Sequence, residues 1–268
     1  MKAKHTDKQA LELWRRFHEG LAKDVPVDEG LSRYEIERRR KELECDPVEW
    51  IRYFFPAYAK YEFAPFHIKA IRRIVANDEW YEVLSWSREL AKSTVVMFVL
   101  VYLTLTKRKR FVALAAATID AAERLLAPYK ANFEKNPRLI QFYGKQETIG
   151  AWTDKEFTCA CGAKFIALGA GSAPRGMRNE AIRPDVLYFD DYDTDEDCRN
   201  PVTLDKKWQW AERALYPTRS ISEPTLVLWC GNIIAKDCCI TRAGALANSW
   251  DVVNIRDKHG RSTWPQKN

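Results

Sequence analysis

The chain has 268 residues, of which 46% are hydrophobic, and this is enough for one large domain with a substantial core. A net charge of +6 suits a polyanionic partner but is too small a bias to identify one. These numbers exclude a wholly disordered chain, and the longest apolar run, residues 95–105, is too short to span a bilayer.

The seven cysteines predict reduced thiols, because they are odd in number and scattered, and the first residues lack the apolar core of a secretory leader. This pattern suggests a cytoplasmic protein. A zinc site is the less favoured alternative. Zinc ligands are usually spaced by two to four residues, and no histidine lies near either close pair, Cys159 with Cys161 or Cys238 with Cys239.

Residues 1–60 are predicted to form a highly charged N-terminal helical lobe. Asp46 and Pro47 mark the start of one helix in it, because aspartate is a good N-cap and proline suits the first turn. Trp50 and Phe54 contribute to the apolar side of that helix. The next segment, residues 64–77, has the periodicity of a further amphipathic helix.

From residue 80 onward, short apolar segments alternate with helical ones. Four strands are predicted at residues 81–86, 111–116, 186–189 and 225–229, and a hairpin turning near Gly162 is predicted at residues 157–161 and 164–168. Helices are predicted at residues 93–105, 119–133 and 201–215. This alternation predicts an α/β domain over residues 61–255 with a mainly parallel central sheet flanked by helices.

The predicted helix at residues 93–105 conflicts with local propensity, since its β-branched residues favour a strand. We predict a helix because Lys92 and Ser93 precede it, at the point where a phosphate-binding loop would open into a helix. A helix that is apolar on all sides is expected to be buried against the sheet.

The stretch SRELAKST, residues 87–94, keeps only the end of the phosphate-loop pattern G-x-x-x-x-G-K-[ST]. Aligned on Lys92, the two glycine positions hold Trp86 and Ala91. Backbone N–H groups could still surround phosphates, with Lys92 on the β and γ oxygens and Ser93 on Mg²⁺. Taken alone, however, a simple helix start with a solvated lysine is the favoured interpretation.

A second motif changes this balance. The apolar run VLYF, residues 186–189, ends in Asp190 and Asp191, which is the shape of a Walker B strand. Asp190 would then hold Mg²⁺ and Asp191 would polarise the attacking water. A solvated acidic loop is the alternative, but two carboxylates at a strand end, about a hundred residues after Lys92-Ser93, favour an ATPase.

Two further segments fit the same interpretation. The glycine-containing loop before this strand carries Arg175, Arg178 and Arg183, whose guanidinium groups could contact phosphate in their own site or in a neighbour's. The apolar strand at residues 225–229 is soon followed by Gly231 and Asn232, where a polar group could sense the γ-phosphate. Each signal is weak when taken alone.

Together, "SRELAKST", "GSAPRGMRNEAIRPDVLYFDDYDTDED", "LVLWCGN" and "VVNIRDKHGRSTWP" resemble the large terminase subunit of tailed phages and prophages, the DNA-packaging ATPase. The resemblance covers residues 60–265 in order. It implies a P-loop NTPase fold of ASCE type, with a further strand between the Walker A and Walker B strands. It also implies ATP and Mg²⁺ as cofactors.

The resemblance assigns roles to individual residues. The nucleotide loop would comprise Ser87, Arg88, Glu89, Leu90, Ala91, Lys92, Ser93 and Thr94, with Phe66 and His67 as loose candidates for contacting adenine. Ser93 and Asp190 would hold the metal, and Gly231 with Asn232 would couple hydrolysis to movement. Asp191 would be the catalytic carboxylate, with Asp193 as the alternative, because many members have glutamate at the position of Asp191. The catalytic arginines would be Arg88 and, from a neighbouring subunit, Arg178, Arg175 or Arg219.

The function implied is ATP-driven translocation of double-stranded DNA into a procapsid, in the cytoplasm of an infected bacterial host. The partners implied are the portal protein, the small terminase subunit and further copies in a ring, with a monomer expected in isolation. Residues 256–268 would begin the linker to a nuclease domain that is absent from this sequence, so no DNA cleavage is expected. A helicase-like or repair P-loop ATPase and a non-enzymatic DNA-binding protein are the alternatives.

Overall fold

A seven-stranded sheet runs through the computed structural model, which describes residues 25–56, 58, 61–174, 177 and 182–267. The strands are β1 (Trp80–Trp86), β2 (Phe111–Ala116), β3 (Glu156–Thr158), β4 (Lys164–Gly169), β5 (Val186–Asp190), β6 (Leu226–Cys230) and β7 (Ser249–Val253). Their order across the sheet is β3-β4-β2-β5-β6-β1-β7. All neighbours are parallel except the β3–β4 pair, which confirms the predicted α/β class with a mainly parallel sheet.

The helices flank this sheet on both faces. They are α1 (Arg33–Glu44), α2 (Pro47–Phe54), α3 (Pro65–Ala76), α4 (Lys92–Leu105), α5 (Ile119–Lys135), α6 (Pro137–Tyr143), α7 (Asp195–Arg199), α8 (Pro201–Gln209) and α9 (Cys239–Leu246). A π-helical turn, Trp210–Leu215, continues α8, so the helix predicted at residues 201–215 changes its hydrogen-bond pattern part-way.

Successive side chains of a strand point to opposite faces of the sheet, and the two faces form two separate hydrophobic cores. Leu114 and Tyr188 face the core formed with helices α2 to α6, whereas Leu187 and Trp229 face the core formed with α8 and α9. Because helices cover both faces, the central strands are buried along their whole length and therefore consist of apolar runs.

The predicted strands and helices are confirmed with shifts of a few residues at their ends. Helix α4 is helical despite its β-branched residues, and its buried positions lie on every side, as predicted. The hairpin is present, and Gly162 has a φ of +91°, a conformation that favours glycine. Strand β7 and helices α6, α7 and α9 were not predicted. Strand β7 lies at the sheet edge and alternates between partly buried and exposed residues.

The predicted domain boundaries do not coincide with separate hydrophobic cores in the described part of the chain. The part of the predicted lobe that the structure describes does not have a core of its own, because Trp50, Ile51 and Phe54 of α2 belong to the same hydrophobic core as strand residues. The segment predicted as a linker, residues 256–268, also contacts the α/β domain through Trp264. This side chain is buried, and its indole N–H donates to the carbonyl of Glu62 at 2.7 Å. Residues 1–24 and 268 lie outside the described residues.

Strand β6 lies between β1 and β5 and pairs in parallel with both. The resemblance implied a strand at this position, and the pairing confirms it. The carboxyl ends of the three strands therefore meet at one edge of the sheet, where open α/β sheets bind ligands. No helix among the described residues is long and apolar enough to cross a membrane.

Candidate active site

The loop of residues 87–91 joins the end of β1 to the start of α4. Ala91 has a φ of +58° and Glu89 a φ of +69°, which is left-handed backbone that costs an ordinary residue about 1–2 kcal/mol. The position aligned with the second glycine of a phosphate loop thus has the backbone that glycine favours, although alanine occupies it. Trp86, at the first glycine position, is instead the fully buried last residue of β1.

The amino end of α4 has no side-chain cap. Ala91 is its N-cap residue and supplies no side-chain acceptor. The first N–H groups of a helix have no partner within the helix, and they carry the positive end of its dipole. This end of α4 therefore offers N–H donors to an anion, as phosphate-binding helices do.

Neighbouring segments hold the loop in place. The Ser87 N–H donates to the carbonyl of Val253 in β7 at 2.8 Å. The carbonyl of Leu90 lies 2.9 Å from Nε2 of His67, and the Lys267 ammonium donates to the carbonyl of Glu89. Three segments that are distant in the sequence therefore fix the backbone of this loop.

Lys92 points along the sheet edge toward the end of β6. Its side chain is almost completely buried, and its Nζ lies 3.5 Å from Oδ1 of Asn232. Asn232 follows Gly231, where an added Cβ would lie only 2.8 Å from Cδ1 of Ile240. Glycine at position 231 thus allows the chain to pass close to helix α9 on its way to Asn232.

Asp190, at the end of β5, is a buried carboxylate with one oxygen unsatisfied. Its Oδ2 accepts a 2.7 Å hydrogen bond from the hydroxyl of Tyr188, whereas its Oδ1 has no hydrogen-bond partner among the described residues. Burial raises the pKa of Asp190 to about 6, and Ser93, Tyr188 and Lys92 each oppose this rise. Buried polar atoms are normally paired, so Oδ1 lies ready for a ligand that is not a protein atom.

Asp191 is exposed beside this carboxylate and has a φ of +40°. It lines a cleft of about 260 Å³ together with Arg88 and Asn232. Three of the four non-glycine residues with positive φ, Glu89, Ala91 and Asp191, lie at this edge of the sheet in the described part of the chain. Backbone strain of this kind concentrates at functional sites.

Asp193, the alternative catalytic residue, has a different role. Its two carboxylate oxygens accept hydrogen bonds of 2.9 Å from the N–H groups of Cys239 and Ile240 at the start of α9. Asp193 also lines this cleft, but the start of the helix already engages both of its oxygens, so it acts as a cap of α9. The geometry therefore supports Asp191, the residue first assigned.

His67 is enclosed and does not present an atom to a ligand. The ring is fully buried; Nδ1 accepts from the Ala64 N–H at 3.0 Å, and Nε2 donates to Leu90. Burial lowers the pKa of His67 to about 4, which keeps the ring neutral. In this conformation both ring nitrogens of His67 are engaged by the chain itself, and the ring of Phe66 packs against His67 and Trp86.

The remaining site predictions divide into three groups. Ser87 begins the loop, and Thr94 lies in the first turn of α4. Arg175 and Arg178 lie outside the described residues. Arg219 precedes β6 and stacks on Tyr216 at 3.9 Å, so it lies at the amino edge of the sheet, opposite the loop, and cannot reach the loop of its own chain.

The zinc alternative finds no support. Among the described ranges, no three or more histidine, cysteine or acidic side chains form a group that could hold a metal ion. All seven cysteines are free thiols, as predicted.

Sequence reasoning missed the residues that support the site. Tyr188 binds the Asp190 carboxylate, and Trp264 packs on His67 with ring centroids 4.5 Å apart. Tyr188 and Asp190 are two residues apart in a strand, so their side chains share one face, and that period could have shown the contact. No local signal indicates the contacts of Trp264, because its partners lie about two hundred residues earlier in the sequence.

No protein-family model matches this chain, and no curated protein is significantly similar to it.

Replacing Ala91 by glycine is expected to raise the free energy of unfolding by up to about 1 kcal/mol, because glycine adopts left-handed backbone without strain. The matched control is Ala247→Gly, where φ is −71° and glycine should instead cost about 0.5–1 kcal/mol. Urea denaturation of both variants measures this difference. An equal loss of stability in both would contradict the left-handed conformation at residue 91.

Replacing Asp190 by asparagine is expected to stabilise the ligand-free protein at pH 7.5 by about 1–3 kcal/mol. The pKa of Asp190 is raised from its ordinary 3.8 to about 6 by burial. Stability from this carboxyl is fully present below about pH 4 and is lost as the pH rises through about 6. The advantage of asparagine should therefore shrink as the pH falls from 7.5 to 4.5 in urea denaturation experiments.

The control for this prediction is Asp185→Asn. Asp185 is also buried, but its two oxygens accept 2.8 Å hydrogen bonds from the N–H groups of Arg110 and Phe111. An amide cannot accept both, so Asp185→Asn should destabilise the protein at pH 7.5. Destabilisation by Asp190→Asn at the same pH would show that the Oδ1 atom is satisfied in solution.

Proposed function

We propose that this chain is an ATP-hydrolysing domain of the P-loop type, in its ASCE class. The observation that carries the proposal is the meeting of Lys92, Asp190 and Asn232 at the carboxyl edge of three adjacent parallel strands. Lys92 and Asn232 are 140 positions apart in sequence. The left-handed backbone at Ala91 supports the same proposal, since it reproduces the loop shape without the glycine.

In this proposal, the loop of residues 87–91 and the uncapped amino end of α4 hold the phosphates of ATP through backbone N–H groups. Lys92 neutralises charge on the terminal phosphates, and its neighbour Asn232 detects whether the γ-phosphate is present. Arg88 adds a cation at the open side of the same cleft. Asp191 accepts the proton of the attacking water, because it is the exposed carboxylate beside this group of residues.

The residues present fit a magnesium ion. The unpartnered Oδ1 of Asp190 is a hard oxygen ligand, and Ser93 lies close enough to lower the pKa of that carboxyl. Mg²⁺ keeps most of its water and takes only one or two protein ligands, so it does not need a cluster of three acidic side chains. When bound with the nucleotide, the ion neutralises charge on the β and γ oxygens.

We further propose that the domain is the motor of a DNA-packaging terminase, acting on double-stranded DNA in the cytoplasm of an infected bacterial host. This step depends on the resemblance of four sequence segments, in their order along the chain. The proposed partners are the portal protein, the small terminase subunit and other copies of the chain in a ring. An arginine from a neighbouring copy, Arg178 or Arg175, would complete each site, so a monomer should be a slow ATPase.

Lys92→Ala is expected to lower kcat for ATP hydrolysis roughly 10²–10³-fold, through loss of charge stabilisation. Asp191→Asn should lower it roughly 10²–10⁴-fold while binding of Mg-ATP persists, through loss of the proton acceptor. Phosphate release and nucleotide titration by calorimetry measure the two effects. The matched control, Asp193→Ala, should lose about 1–2 kcal/mol of stability and retain turnover. If Lys92→Ala hydrolyses ATP as fast as the parent, the loop assignment is wrong.

Adding a portal or procapsid is expected to stimulate ATP turnover if the domain is a packaging motor. A helicase-like or repair ATPase should respond to nucleic acid and ignore the portal. The measurement is the turnover rate with DNA alone, with portal alone and with both. Stimulation by DNA with no response to any portal tested would favour the alternative, whereas the absence of any ATPase activity would contradict both.

A further inference from the structure

A second cleft lies away from the candidate active site, and it is lined by a thiol, by three cationic side chains and by the carboxylate of Glu44. Its volume is about 390 Å³, and its walls come from α1, from the end of α4 and from the turn between β3 and β4. Arg40, Lys41 and Lys107 line it together with Cys161. Cys161 is partly exposed there, whereas Cys159, two residues earlier, is buried in the core.

The turn that carries both cysteines is fixed by hydrogen bonds. The Gly162 N–H donates to the carbonyl of Cys159 at 2.8 Å, and the Cys159 N–H donates to Ala163 at 2.7 Å. Gln146 holds the turn from outside: its side-chain carbonyl accepts from the Cys161 N–H at 3.1 Å, and its backbone carbonyl accepts from Ala160 at 2.9 Å. The backbone of this turn is therefore ordered before any reaction.

The pKa values of the two thiols are shifted in opposite directions. A hydrogen bond from the Cys159 thiol lowers the pKa of Cys161 to about 7, and backbone N–H groups and Lys107 act in the same direction. Burial raises the pKa of Cys159 well above its usual value. With a pKa of about 7, Cys161 is the more reactive of the two thiols at neutral pH; in the ligand-free protein its Sγ lies 3.9 Å from the carbonyl oxygen of Thr104.

We propose that Cys159 and Cys161 are a redox-active dithiol, in which Cys161 reacts first with a small peroxide and Cys159 then closes a disulfide. The Cys161 thiolate attacks one oxygen of hydrogen peroxide and, with one proton, yields the sulfenic acid and one water. The Cys159 sulfur displaces the hydroxyl from that sulfenic acid, and a second water leaves. In total, two thiols and one peroxide give one disulfide and two waters.

The spacing of the two residues permits this bond. Two chain steps span at most about 7 Å when extended, and a turn shortens the span. A disulfide needs Cα atoms about 4.4–6.8 Å apart, a separation that two chain steps bent by a turn can provide. The buried position of Cys159 protects it from external oxidants and leaves the partly exposed Cys161 as the point of attack. This chemistry is independent of the proposed ATPase.

The test treats the native full-length protein with hydrogen peroxide at pH 7 and maps the products. Trypsin releases both cysteines in one peptide, residues 156–164, which contains no other cysteine. We expect that peptide to lose two hydrogen atoms and to regain them with a reducing agent. Oxidation of Cys161 to the sulfinic acid with Cys159 still a free thiol, or an unmodified peptide, would overturn the proposal.

Two comparisons sharpen the result. Cys159→Ala should leave Cys161 as a sulfenic acid that dimedone traps, whereas the parent should give little adduct. Cys198 is also partly exposed, but burial raises its pKa to about 11. In the parent protein, iodoacetamide at pH 7 should therefore modify Cys161 on the order of 10–100-fold faster than Cys198, after allowing for the lower nucleophilicity of the more acidic thiolate. Equal rates would also overturn the proposal, whether or not Cys159→Ala folds.

Discussion

The parallel pairing of β6 with both β1 and β5 is the constraint on which the candidate site depends. It aligns the ends of three strands, so that the residues following each strand meet at one edge. The loop after β1, the carboxylates at the end of β5 and Asn232 after β6 belong to segments that are far apart in the sequence. A shift of β6 by one residue would exchange its two faces and separate Lys92 from Asn232.

The carboxyl edge of these strands lowers the stability of the ligand-free protein. The unfavourable features lie in the residues that would contact a ligand. A carboxylate at Asp190 is buried with one oxygen unsatisfied, and three non-glycine residues adopt left-handed backbone. The rest of the fold has to supply the stability that maintains this arrangement. The two cores on opposite faces of the sheet do so, because they bury the central strands completely.

A layer of buried residues gives the site its precision. His67 has both ring nitrogens bonded, Tyr188 orients the carboxylate of Asp190, and Asp193 anchors helix α9 close behind Gly231. None of these side chains needs to touch a ligand. Each of them restricts the position of a group that would, and such support distinguishes a preorganised site from residues that merely lie near one another.

The sequence by itself determined most of the elements, including the strands at whose ends function was expected. Apolar runs and their spacing predicted the mainly parallel sheet, and Lys92 preceding an apolar segment correctly predicted helix α4 against its β-branched composition. Local chemistry also pointed to Lys92, Asp190 and Asn232 at strand ends, and the structure brings them to the same edge of the sheet. The strands and helices were predictable because hydrophobic period and strand polarity are properties of short segments.

Only the tertiary structure decided which of these residues meet and in what environment. The sequence left Asp191 and Asp193 as alternatives, and the structure shows that Asp193 accepts hydrogen bonds from the start of α9 whereas Asp191 is exposed. The sequence also did not show that His67 is buried, or that Trp264, within the linker predicted at residues 256–268, packs against it. Burial, orientation and long-range pairing depend on the packing of segments far apart in the chain, and no local pattern encodes them.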